Sequence, residues 1–195
     1  MKLKLNLDLK IETEHFNYYF SENSIPNFEK IKKFNEFFGL KQAEYGIVVP
    51  RTDYFKLTSQ ESKEVFGKKQ TGAFSNGYIT SIQWDSAHEA SHVIGSILGR
   101  PPRFIREGFA VMNAADHNNI IQNPTIENLT ENEFVRLMSD EGFYSLPEQE
   151  VHAIAGTFMQ MVKEQEGIEG IKRMMYQDMP NKKLITKFTY NLAQL

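Results

Sequence analysis

The stretch Asp85-Ser-Ala-His88-Glu89-Ala-Ser-His92-Val-Ile-Gly95 sets two imidazoles four residues apart, with a carboxylate beside the first. On a helix, residues four apart share a face, so His88 and His92 can converge on one ion. Glu89 is turned about 100° from His88, which suits a base beside a metal better than a ligand. Zinc held by neutral ligands keeps a coordination position open and lowers the pKa of bound water to about 7. A neighbouring carboxylate can take that proton and later pass it to a leaving amine. A second reading stands beside this one. Ser86-x-x-Glu89 matches a helix capping box, and two histidines can belong to an ordinary buried helix.

Fifteen residues after His92 lies Glu107, in the stretch Arg106-Glu107-Gly108-Phe109-Ala110, introduced by Gly99-Arg100-Pro101-Pro102. The proline pair ends one helix and permits another, because proline is tolerated in a first turn but not inside. Glu107 is then expected near the start of an antiparallel helix whose Gly108, Ala110 and Ala114 allow close approach to the first. Two histidines and a glutamate make a three-ligand zinc set with an open fourth position. An acid near a helix start is also favourable with the dipole alone. The whole pattern, His-Glu-x-x-His followed by Pro-x-x-hydrophobic-x-Glu-Gly-Phe-Ala, resembles that of the gluzincin zinc metallopeptidases, the thermolysin-like zincin class. That resemblance implies that His88, His92 and Glu107 bind Zn2+ and that Glu89 is the general base.

The resemblance is specific at 88–92 and 104–110 and extends in layout over most of 15–178. In gluzincins an edge strand ahead of the metal helix pairs with extended substrate, and Ala73-Phe74-Ser75-Asn76 resembles that segment. Strand addition is a general mode of peptide binding; a plain hairpin turning at Asn76-Gly77 is the competing reading. His152-Ala-Ile-Ala155-Gly156-Thr-Phe158 resembles a Tyr-x-x-Ala-Gly-Ser-Phe segment of small relatives, so His152 is the first candidate for the oxyanion donor that amide hydrolysis needs, and Tyr144 the second. Two departures count. Thermolysin-type enzymes carry an Asp four residues after the glutamate ligand, where this chain has Val111. The Gly-x-Met-Glu-Asn motif of aminopeptidases is absent, and no Glu lies between Gly67 and Glu89, which favours an endopeptidase acting on peptide or protein substrates. From another class, the rival is an inert binding or regulatory module that keeps the fold and the metal.

These residues need a frame. The 195 residues are expected to form a single domain, 1–195, with a real core. Hydrophobic content of 41% and charged content of 24% describe a globular chain, and a net charge of −3 gives no reason to expect nucleic acid or an anionic membrane as partner. With no cysteine, disulfides and thiolate metal sites are excluded. No signal-like or membrane-length apolar run is present, so the chain as it stands is expected to be cytoplasmic. Oligomeric state is not legible.

Alternation over 2–11 predicts a half-buried strand, and Phe16, Tyr18 and Phe20 predict a second on the opposite parity. A helix is expected on Ile25, Phe28, Ile31, Phe34, Phe37 and Phe38, a short strand over Tyr45–Pro50, and a helix over Ser59–Phe66 closed by Gly67. Strand residues around Tyr78–Ile82 then feed the metal helix, whose buried side is expected to be Val93, Ile94, Ile97 and Leu98. The chain is expected to loosen after Ala115. Helices follow over Thr130–Met138 with a Thr130-x-x-Glu133 capping box, from Pro147 to Gln165, over Ile168–Met175, and over 181–195. The class is α+β: a small N-terminal mixed sheet with helices, the His-Glu-x-x-His helix, then an all-helical C-terminal half.

Overall fold

The computed structural model describes residues 7–67, 71–118, 124–125, 129–176 and 180–193. Parts of three expectations lie outside them: the strand at 2–6, the loosened stretch at 119–123, and the chain end at 194–195. Among the described residues the fold is α+β, with five strands in the N-terminal half and a helical C-terminal half. Two compact units divide the chain, residues 1–94 and 95–195. No helix of the described residues is long and apolar enough to cross a membrane.

In the first unit β1 (Leu9–Glu12) and β2 (Phe16–Phe20) form an antiparallel hairpin. Phe16, Tyr18 and Phe20 point inward and are buried, as their alternation requires. β1 is less covered than its alternation suggests, since it is an edge strand and Leu9 is 41% exposed. α1 (Phe28–Tyr45) starts on an Asn27 cap and runs to Gly46. Ile25 lies before it and is exposed, while Ile31, Phe34 and Phe38 are buried. The expected strand over Tyr45–Pro50 is therefore wrong. Tyr45 is the last helical residue, and the strand that follows is β3 (Thr52–Lys56). β3 pairs in parallel with β2, which requires a crossover that α1 provides.

α2 (Ser59–Phe66) has a Thr58–Glu61 capping box and ends at Gly67, as expected. β4 (Gly72–Ser75) and β5 (Tyr78–Ser81) are antiparallel, and the sheet order is β1-β2-β3-β5-β4 with β3 and β5 parallel. Asn76 and Gly77, both with positive φ, make the turn between them. An aromatic core holds the sheet to α1: Phe16 stacks on Phe34 at 5.0 Å, and Tyr18 lies 4.8 Å from Tyr54.

α3 (Ala87–Leu98) carries the chain from the first unit into the second. Val93 and Ile94 are buried as expected, but Ile97 is 50% exposed. The second unit continues with α4 (Arg103–Asn118), which extends through 116–118, the first of the residues where loosening was expected. α5 (Glu131–Leu137) begins at the Thr130–Glu133 capping box. A short α6 (Asp140–Phe143) leads to α7 (Glu148–Met175), which is broken at Gly167 (φ 65°, ψ −161°) where one helix was expected to end and another to begin. α8 (Lys182–Leu192) closes the described chain. Phe104, Phe134, Phe158 and Phe188 form this unit's aromatic core, with centroids 5.0 to 6.2 Å apart.

In the second unit α4 and α7 approach closely. A methyl group on Gly108 would stand 2.4 Å from the carbonyl oxygen of Ala155, and one on Gly156 would stand 2.5 Å from Cγ1 of Val111. The smallness of Gly108 thus serves contact with α7, where the sequence had suggested contact with the preceding helix.

Candidate metal centre

The start of α3 is fixed from the sheet. Tyr54 on β3 is fully buried, donates from its hydroxyl to the Gln83 carbonyl (2.8 Å) and accepts from the Ser86 N–H (3.2 Å). Burial pushes the pKa of this phenol far up, so it stays protonated and can donate. Lys30 adds an ion pair to Asp85 at 3.3 Å. From that anchored entry the helix carries His88, Glu89 and His92 in its first two turns.

The Nε2 atoms of His88 and His92 are 3.1 Å apart, with the rings edge to face. Donor atoms of His88, His92 and Glu107 all lie within 4.8 Å of one another, so the three can hold a metal ion. A tetrahedral ion with bonds of about 2.0–2.1 Å needs neighbouring donors about 3.3 Å apart, close to the histidine spacing. Glu107 is 6% exposed. A carboxylate buried to that degree needs positive charge or hydrogen bonds. Part of that need is met by Arg103 Nε and Arg106 Nη2, each 3.7 Å from Oε1, while His152 Nε2 lies 4.0 Å from Oε2.

Glu89 is 9% exposed and lies against β4: a methyl group on Gly72 would come within 3.0 Å of both its Cγ and Oε1. This is a signal the sequence held unread, since only glycine leaves room there for the carboxylate. Ala73, Phe74 and Ser75 follow on β4, with Asn76 in the turn, so the hairpin reading holds and the first three of these residues also occupy a sheet edge.

His152 sits on α7, three residues before the Ala155 that meets Gly108, and Glu107 precedes Gly108. The close approach of the two backbones is what brings the imidazole to the carboxylate. Tyr144 is placed otherwise. It is 64% exposed, and its hydroxyl accepts a hydrogen bond from Arg103 Nη1. Arg103 and Arg106 were missed as site residues. The Arg103-x-x-x-Glu107 spacing, which puts both on one helical face, was the available signal.

Comparison of the chain with protein-family models, with curated proteins and with solved structures finds no match.

Proposed function

We propose that this chain is a zinc-dependent peptidase of the gluzincin type, acting as an endopeptidase with Glu89 as general base. The observation that carries the reading is the meeting of His88, His92 and Glu107 donors within 4.8 Å, with Glu89 next in sequence to one of them. Two imidazoles and one carboxylate suit zinc and leave a position open. When bound, zinc supplies a Lewis acid and an activated water. Glu89 takes the proton of the attacking water and returns it to the amine that leaves. Its place against Gly72 puts that base at the backbone of β4.

The sheet supports peptide binding there. Its two edges differ: β1 carries Lys10 and Glu12, paired at 2.6 Å, whereas β4 reads Gly-Ala-Phe-Ser with no charge. Charged residues guard an edge against further strands, and an uncharged edge accepts one. His152, 4.0 Å from the Glu107 carboxylate, is the donor for the developing oxyanion.

Zinc analysis with a peptide-library digest, run on wild type and on Glu89→Gln, tests the reading. Wild type should hold about one zinc per chain. His88→Ala, His92→Ala and Glu107→Ala should each lose most of it. Glu89→Gln should keep the metal while hydrolysis drops on the order of a hundredfold or more. Full zinc retention in Glu107→Ala would remove the third ligand from the assignment. A metal-loaded wild type that cleaves nothing in a broad library would favour the inert binding module.

A further inference from the structure

A cavity of about 530 Å³ is lined by Arg100, Pro101, Pro102, Arg103, Arg106, Asp140 and Tyr144, and two of these, Arg103 and Arg106, also approach Glu107. Three arginines and one aspartate line it. Each guanidinium is a planar fork of five N–H donors, matched to a carboxylate or phosphate and always charged. We infer that this cavity binds a carboxylate of the substrate, taken by Arg100 and Arg106 together with Arg103. That its ligand is a substrate rests on the peptidase reading; the anion site itself does not.

A solvated basic patch is the ordinary alternative, and three observations weigh against it. Arg103 is held in place: its guanidinium lies 4.8 Å from the Tyr144 ring centre and 5.2 Å from that of Phe143, and Nη1 donates to the Tyr144 hydroxyl. A donor fixed in this way loses little freedom when an anion arrives. Its Nε is buried and makes no hydrogen bond. Finally, the distances of 3.7 Å from Arg103 and Arg106 to Glu107 are too long for hydrogen bonds, so the pairing is coulombic and consumes none of those N–H groups. A cation held by Glu107 draws on that same carboxylate and leaves the two arginines short of negative charge. An incoming carboxylate restores the balance. It has two sources in a peptide, a free C-terminus or an acidic side chain.

Binding to the Glu89→Gln protein, loaded with zinc and unable to turn over peptide, separates these by calorimetry. The probes are N-acetyl-Ala-Phe-Ala as free acid, the same peptide as C-terminal amide, and N-acetyl-Ala-Phe-Glu amide. At least one carboxylate peptide should bind about tenfold or more tighter than the neutral amide, the size of a charge-assisted hydrogen bond. Preference for the free acid assigns the C-terminus; preference for the Glu amide assigns a side chain. In Arg100→Gln/Arg106→Gln on the same background the preference should fall to about threefold or less, with thermal melting as the check on folding. Equal binding of all three peptides, no binding by any, or a preference that survives in a folded double variant overturns the inference. If that variant does not fold, the comparison of acid with amide in the arginine-intact protein decides alone. Discrimination without cleavage by wild type would keep the anion site and remove the peptidase reading.

Discussion

The Glu107 carboxylate is divided between neighbours: Oε1 faces Arg103 and Arg106, and Oε2 faces His152. That geometry gives His152 two roles that experiment can separate. As an oxyanion donor it acts on the reaction alone. His152→Ala should then keep zinc and KM while kcat drops roughly a hundredfold, and His152→Gln, whose amide still donates, should recover part of the loss. As a partner that orients Glu107, it would act on the metal, and zinc affinity would fall about tenfold or more instead. Metal titration and steady-state kinetics on both variants distinguish the two outcomes.

Among the elements, the α4–α7 pair carries a tightly constrained contact. Alanine at Gly108 would press on backbone, the Ala155 carbonyl, whereas alanine at Gly156 would press on the Val111 side chain, which can shift. The gain in helix propensity, about 1 kcal/mol, is the same for both. Gly108→Ala should therefore be destabilised by about 2 kcal/mol or more in denaturant titration, and Gly156→Ala by clearly less. Since the same approach sets the His152–Glu107 distance, Gly108→Ala should also weaken metal binding. In α2 a prediction follows from charge. Burial alone would raise the pKa of Glu61, but the hydrogen bond from the Thr58 N–H, the neighbouring Ser21 and Thr58 hydroxyls and nearby Lys56 bring it below the usual 4.5. A depressed carboxyl contributes stability above its unfolded pKa and loses it as pH falls through the folded one. Glu61→Gln should thus melt lower than wild type at about pH 7, and the gap should close towards about pH 3.

Across the molecule, the ligands come from separate helices, His88 and His92 from α3 and Glu107 from α4, so the unfolded chain offers no comparable site. Zinc at a hundred times its dissociation constant should then stabilise the fold by about 2.7 kcal/mol, read as a rise in Tm that a chelator reverses and Glu107→Ala abolishes. Much of this was legible in sequence because it is local. The spacing of His88 and His92, the caps at Thr58 and Thr130, and the alternation of Phe16, Tyr18 and Phe20 all act over a few residues. Non-local features were not. β3 escaped notice because Asp53 and Lys56 break its apolar look. Lys56 is buried yet lies 5.2 Å from the Trp84 ring and donates to the Leu57 carbonyl, satisfactions that only the fold supplies. Ile47-Val48-Val49 looked like a strand, yet Val48 is 87% exposed. The arginine cavity needed α4, α6 and the turn after α6 to assemble. One last consequence concerns tolerance to substitution. Gly167 breaks α7 in a backbone state essentially reserved for glycine, and nothing lies within 4 Å of where its Cβ would stand. Replacement there is penalised by handedness rather than bulk, so alanine and tryptophan should cost alike. At Gly108 the penalty climbs with every added atom. A saturation scan of α4 and α7 should return a flat profile at the first glycine and a graded one at the second.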